Sequence, residues 1–168
     1  GQSDKDNVEI KKWGKIKKFD FPVKNHVDIL EALGAVDFDA SARATGHGFY
    51  YLKGDFALLN QALIHFVLDH MKKKKYTYIE PPLLLKKDIL FGGIDKKAFE
   101  QSIYCIEGED TCLIGTSEFS LLGMYTDRII DDLPKKYFSY TMCFRKEVGA
   151  HGLNERGLWR THQFNKVE

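Results

Sequence analysis

Hydrophobic and polar positions along this chain repeat with two different periods. A strand sends successive side chains to opposite faces, whereas a helix brings every third or fourth to one side. The helical period is clearest after Gly54-Asp55, where Leu59, Ala62, Leu63, Phe66 and Val67 form a stripe running on to His70 and Met71. Asp55 is the expected N-cap, and Lys72 to Lys75 falls where cations favour a helix C-terminus. A shorter helical pattern through Val27, Leu30 and Leu33 follows the turn at Pro22 and stops at Gly34. Two more short helices flank Gly92-Gly93, the first expected to be capped at Asp88. Another runs from Thr116-Ser117-Glu118 through Leu121, Leu122, Tyr125 and Ile129, with Thr116 or Ser117 available as ordinary caps.

The period of two marks Asn7 to Ile10, Phe49 to Leu52, and Tyr76 to Glu80, which ends at Pro81-Pro82. It also marks Ile103 to Ile106 and Thr111 to Ile114 around a turn at 107–110, and the aromatic run from Tyr137 to Phe144. Elements of both kinds run through the chain, so helices and strands share one fold. From Phe144 to Glu168 the parity sorts chemistry as well as burial. Arg145 and Glu147 share one face of a first strand; Arg160, His162, Phe164, Lys166 and Glu168 share one face of a second. Gly149, Gly152 and Gly157 punctuate the loop between them, as in a long hairpin. Such a face is either the wetted side of a sheet or a ligand floor. A guanidinium fork suits phosphate or carboxylate, a carboxylate accepts from an amine, and an aromatic ring stacks on a base.

Composition narrows the class. At 168 residues and a net charge of +1, the chain suits one ordinary globular domain, and bulk charge makes no case for nucleic acid. No apolar run reaches membrane-spanning length, and the polar start lacks a signal-peptide core. Cys105, Cys112 and Cys143 are odd in number and widely spaced, which fits reduced thiols of a cytoplasmic protein better than a disulfide framework or a zinc site. Residues 1–18 are polar and basic, with five lysines around Trp13, and read as a tether with a short strand.

Longer strings within these elements resemble the class II aminoacyl-tRNA synthetases, in the form found in seryl-tRNA synthetases. They are Phe144-Arg145-x-Glu147, the Gly-x-His-Gly loop, Arg156-Gly157-Leu158, and Arg160 followed by His162-Gln163-Phe164-x-Lys166-Val167-Glu168. Together these resemble motif 2 of that class. The long helix, the following strand and its prolines resemble motif 1, and Thr116-Ser117-Glu118 resembles the serine-binding Thr-x-Glu. Trp13-Gly14 and His26 through Gly34 resemble the join to a tRNA-binding arm. The likeness runs from about Asn7 to Glu168, with 19–168 as the N-terminal part of a catalytic domain, and it implies an α+β fold of a mostly antiparallel sheet flanked by helices, incomplete at its C-terminal end.

The resemblance implies ATP-dependent activation of serine to seryl-adenylate, then transfer to tRNA(Ser). Arg145 would bridge the α-phosphate and the serine carboxylate, with Arg160 as a second candidate for both. Glu147 would accept from the adenine amino group and Phe164 would form one side of the adenine sandwich. Thr116 and Glu118 would hold the α-ammonium of serine, and Glu168 would accept from its hydroxyl. His162 and Lys166 would support them, while Val148 to Arg156 would close over the ligand. Leu59, Leu63, Phe66, Pro81 and Pro82 would lie in a homodimer interface. Magnesium would arrive with ATP; no metal ligand is expected within this chain. The pattern stops before the class's motif 3 and lacks the tRNA-binding arm, which implies a portion of a longer enzyme. Two further readings remain open at this stage: a related ligase that charges a carrier protein, and a catalytically silent paralogue acting as a dimerisation or binding module.

Overall fold

The computed structural model describes residues 3–147 and 157–168. The expected mobile segment Val148 to Arg156 lies outside the described residues. From residue 7 to 25 the chain is extended and exposed, with Ile10, Trp13 and Ile16 all above 90% accessible. The strand expected at Asn7 to Ile10 does not form, because no partner strand lies beside it to take its backbone groups.

Order begins at α1 (His26–Ala32), capped by Asn25, whose side chain accepts from the Asp28 amide at 2.9 Å. Val27 and Leu30 of its apolar stripe are buried, while Leu33 is exposed just past the helix end. Gly34 then takes a φ of +62°, the left-handed turn that ends a helix cheaply only in glycine. β1 (Val36–Asp37) follows, then α2 (Phe38–Ala44), capped by Asp37, and β2 (Tyr51–Leu52), antiparallel to β1. Leu30, Ala35 and Val36 form a small core here with Phe38, Tyr50 and Phe56 packed on it.

The long helix α3 (Gly54–Lys73) appears where its stripe predicts it, but its cap and its packing differ from expectation. Lys53 occupies the N-cap without a side-chain bond, and Asp55 sits in the first turn, where a carboxylate still favours the helix dipole. Only Ile64 of the helix is buried. The helix turns Ala57, Asn60 and Gln61 toward Met142, Gln163 and Asn165 of the last two strands across a cavity of about 210 Å³. Leu59, Leu63 and Phe66 therefore stay 50%, 58% and 68% exposed, and the first two line an apolar cavity of about 320 Å³ against α1.

β3 (Thr77–Tyr78) leads to Pro81, which is buried, and Pro82, which is exposed. β4 (Leu84–Lys86) runs into α4 (Lys87–Phe91), and α5 (Lys96–Ser102) follows the Gly92-Gly93 break. Asp88 does not cap α4: its carboxylate accepts from the adjacent Ile89 amide, and the true side-chain cap in this stretch is Asp95, on the Ala98 amide at 3.0 Å. The break needs glycine for space, since a Cβ on Gly93 would lie 2.3 Å from the Phe119 ring.

β5 (Thr111–Leu113) is antiparallel to β4, and Ile103 to Ile106 meets it only through a bridge at Cys105 and Cys112. Ile106 N donates to Thr111 O and Leu113 N to Tyr104 O, so the two cysteines form a non-hydrogen-bonded antiparallel pair. Side chains approach most closely at such pairs, and Cys105 and Cys112 are joined by a disulfide. The expectation of three reduced thiols therefore holds for Cys143 alone, which is buried. Sequence spacing did not show the pairing, because strand register sets which side chains face each other. Leu90, Phe99, Ile103 and Cys112 make the core of this half, with Ile94 and Phe119 against it.

α6 (Glu118–Gly123) stops just short of Tyr125 and well before Ile129, which is 92% exposed. β6 (Tyr137–Phe138) is parallel to β3, and β7 (Tyr140–Phe144) pairs antiparallel with β8 (Gln163–Val167). Ser139 and Glu168 exchange both backbone hydrogen bonds and extend that ladder by a step. Phe144 N donates to Ile114 O, and Ser139 Oγ to Ile79 O, tying the hairpin to its neighbours on either side. Among the described residues the sheets are small and mostly antiparallel, with helices on them. No described helix is long and apolar enough to cross a membrane.

Candidate active site

The register of β7 and β8 decides which side chains meet. Cys143 lies opposite Phe164 and Thr141 opposite Lys166, so Ser139, Thr141 and Cys143 share a face with Phe164, Lys166 and Glu168. Arg145 continues that face one step past β7, its amide donating to the His162 carbonyl at 2.9 Å. The small side chains Ser139, Thr141 and Cys143 are buried and form the base of the floor. Burial raises the pKa of the Cys143 thiol, against a smaller lowering by Thr141, so it stays protonated and inert.

Arg145 is held at its stem and open at its head. Its Nε donates to the Gly115 carbonyl at 3.0 Å, and its guanidinium carbon stands 5.3 Å from the centroid of the Phe164 ring. A guanidinium fixed through Nε keeps its two terminal nitrogens for a planar anion. An arginine beside an aromatic face is the pairing that a phosphate joined to a base requires.

Glu168 forms the second centre. One carboxylate oxygen, Oε2, accepts from Thr116 Oγ1 at 2.5 Å, from Ser117 N at 3.0 Å and from Ser117 Oγ at 2.9 Å. The other, Oε1, is paired with the Lys166 ammonium, which also donates to Thr116 Oγ1 at 3.1 Å. Burial pushes the Glu168 pKa up, but the bonds from Lys166, Thr116 and Ser117 outweigh it and leave the pKa below the ordinary glutamate value. The carboxylate is thus held ionised. Thr116 and Ser117 spend their hydroxyls on it and do not cap α6, so the simple capping expectation is corrected. Glu118 stands exposed at the start of α6, outside this cluster.

The parity reading breaks down just before β8. Thr161 is buried and its hydroxyl donates to the Gln163 carbonyl at 2.9 Å, which turns the chain and ends the two-residue alternation. β8 begins only at Gln163, so Arg160 lies before the strand, where it pairs at 3.5 Å with Glu147, itself beyond β7 at a φ of +45°. His162 lies between the tilted ring of Phe49, with centroids 5.1 Å apart, and the hydroxyl of Tyr104, 3.0 Å from its Nδ1. Reading by residue type passed over Ser117, Tyr104 and the Gly115 carbonyl. The last two leave no sequence signal, since they reach the site through tertiary packing alone. Lys166 was visible on the Glu168 face, although its bond to Thr116 was not. No group of three or more metal-ligating side chains occurs among the described residues.

An arginine over an aromatic ring and an anchored carboxylate thus lie along one antiparallel floor. Residues 99–168 match the family model described as tRNA synthetase class II core domain (G, H, P, S and T). Over its whole length the chain is similar to serine–tRNA ligases. The chain is 44% identical over its whole length to that of Nitrosopumilus maritimus and 46% identical to that of Sulfurihydrogenibium sp.. It superposes on seryl-tRNA synthetase from Pyrococcus horikoshii complexed with ATP with a TM-score of 0.86, at 41% identity over 89% of this chain and 34% of that one. For the cytoplasmic serine–tRNA ligase from Naegleria fowleri in complex with AMP the TM-score is 0.80, at 36% identity over 84% and 34%. The chain spans about 40% of the length of the curated relatives it matches.

Proposed function

We propose that this chain is part of a serine–tRNA ligase, which joins serine to ATP as seryl-adenylate and then transfers the seryl group to tRNA(Ser). The observation that carries the reading is the Glu168 carboxylate, held ionised by Thr116, Ser117 and Lys166 on the same floor as Arg145 and Phe164. In the first step a serine carboxylate oxygen bonds to the α-phosphorus and pyrophosphate leaves. In the second, a ribose hydroxyl at the tRNA end displaces AMP from the seryl carbonyl. Neither step needs a protein nucleophile. Alignment and charge stabilisation supply the catalysis.

Arg145 then spans the α-phosphate and the serine carboxylate, and Phe164 stacks on adenine. Glu147 takes the adenine amino group, releasing Arg160 from their ion pair toward the phosphates. Thr116 and Glu118 bind the α-ammonium. Glu168 accepts from the serine hydroxyl, which exchanges with one of the donors already on that carboxylate. An alanine substrate brings no hydroxyl to that carboxylate and gains none of this charge-assisted bond, which favours serine. ATP enters with magnesium as its phosphate complex.

The exposed stripe of Leu59, Leu63 and Phe66 on α3 supports a homodimer through that helix, since apolar side chains in a row favour a partner. Pro82 is exposed and Pro81 buried, and both belong to the same proposed interface. Residues 1–18 serve as a basic tether and 19–168 as the N-terminal part of the catalytic domain. The enzyme works in the cytoplasm with the rest of translation. Serine-dependent exchange of pyrophosphate into ATP by the full-length protein tests the reading, with alanine and threonine as controls. Exchange specific to serine is expected; its absence, or equal exchange with alanine, would refute the assignment.

A further inference from the structure

We propose that Tyr104 and His162 are positioning residues for Arg145, forming a relay from the disulfide-bearing hairpin to the arginine backbone. The inference rests on the role given above to Arg145. Three contacts define the relay. His162 Nδ1 lies 3.0 Å from the Arg145 carbonyl and 3.0 Å from the Tyr104 hydroxyl, and the Arg145 amide donates to the His162 carbonyl at 2.9 Å. Arg145 is thus gripped by one residue at both its amide and its carbonyl, while Gly115 takes its Nε.

A carbonyl only accepts, so an Nδ1 lone pair aimed at it would be repelled. Nδ1 therefore carries the ring hydrogen, which the Arg145 carbonyl and the Tyr104 oxygen share as acceptors. The ring cannot swing away to release them. The Phe49 ring packs against one side at an interplanar angle of 32°, and the His162 amide is bound to the Gly48 carbonyl at 2.9 Å. Tyr104 is anchored in turn. Its carbonyl accepts from Leu113 N at 2.8 Å, and the next residue, Cys105, is bonded covalently to Cys112. Arg145 sits beyond the end of the β7 ladder; the flanking Phe144 and Lys146 amides donate to the Ile114 and Ser102 carbonyls, and the peptide groups of Arg145 itself are held by His162. The relay replaces that ladder, and a displacement of about 1 Å in a positioned group is enough to cost roughly a hundredfold in rate.

The test compares two amides, because the asparagine amide nitrogen falls where histidine has Nδ1 and the glutamine nitrogen falls where it has Nε2. Full-length wild type, His162→Asn, His162→Gln and Tyr104→Phe are assayed for serine-dependent pyrophosphate exchange. His162→Asn is expected within about threefold of wild-type kcat, and His162→Gln more than about thirtyfold lower with little change in the KM for ATP. Tyr104→Phe is expected between them. Equal losses in the two amide variants, or losses that track thermal midpoint alone, would overturn the relay.

Two nuclear magnetic resonance readouts are independent of activity. Long-range proton–nitrogen spectra are expected to show His162 as the Nδ1–H tautomer. The Arg145 Nε–H signal is expected to persist in His162→Asn and to shift or vanish in His162→Gln. An Nε2–H tautomer, or an Arg145 signal unmoved by either substitution, would refute the relay even in an active enzyme. A wild type with no exchange but the expected spectra would instead overturn the proposed function and leave the relay standing.

Discussion

Replacing Ser117 with alanine isolates the hydrogen bond on which the anchored carboxylate depends most cleanly. Ser117 is fully buried and its hydroxyl donates to Glu168 Oε2 at 2.9 Å. A hydrogen bond to a charged group contributes about 1.5–3 kcal/mol. The lower figure applies here, because the Ser117 amide and Thr116 hydroxyl remain on the same oxygen. With a urea slope of about 2 kcal/mol/M, a loss of about 1.5 kcal/mol moves the unfolding midpoint down by about 0.7 M. Ser120→Ala is the matched control. Ser120 is equally buried, but its hydroxyl donates at 2.9 Å to the neutral carbonyl of Pro82. Its cost is about 1 kcal/mol and has no reason to follow pH. Ser117→Ala behaves otherwise. Glu168 has a lowered pKa in the folded protein, so its contribution is complete above the ordinary glutamate value and is lost as pH falls through the folded one. The gap between wild type and Ser117→Ala should therefore narrow between pH 7 and pH 3, while the Ser120→Ala gap stays constant. Urea titrations at several pH values measure both. Parallel gaps across that range would refute the claim that the hydroxyl serves an ionised carboxylate.

Arg145→Ala removes the open guanidinium and is expected to lower serine-dependent exchange by at least about a hundredfold, with near-normal exchange refuting its role. Reducing the Cys105–Cys112 bond, or replacing Cys105 with serine, reopens a loop closed across a separation of 7 residues. Loop-closure entropy puts the cost at about 2 kcal/mol, read as a lower urea midpoint in a dithiol; an unchanged midpoint would refute it. Gly93→Ala places a methyl group 2.3 Å from the Phe119 ring, and overpacking of that kind costs about 1–3 kcal/mol. Combining it with Phe119→Leu should recover part of the loss, and full additivity of the two would argue against that contact.

The strongest periodic signals survive in the structure. The α3 stripe, the α1 pattern stopped at Gly34 and the paired strands around the last loop all form where alternation and spacing put them. Expectations failed where the deciding contact was distant in sequence. Thr116 and Ser117 look like helix caps locally, yet Glu168, some 51 residues on, competes for both hydroxyls and wins them with a full negative charge. Parity puts Arg160 on the second strand, but the ladder begins only at Gln163, after the Thr161 hydroxyl has bonded to the Gln163 carbonyl.

Covalent order alone determined the two periods, the motif strings, and the placing of Arg145, Phe164, Lys166 and Glu168 on one side of a hairpin. Strand parity is a local property of backbone geometry, so it can be read without knowing the neighbours. Only the tertiary structure decided that Cys105 faces Cys112, that Lys166 and Ser117 share Glu168, and that Tyr104 reaches His162 across 58 residues of chain. Register and packing bring those groups within 3 Å or so, and hydrogen bonds and disulfides act only at such range.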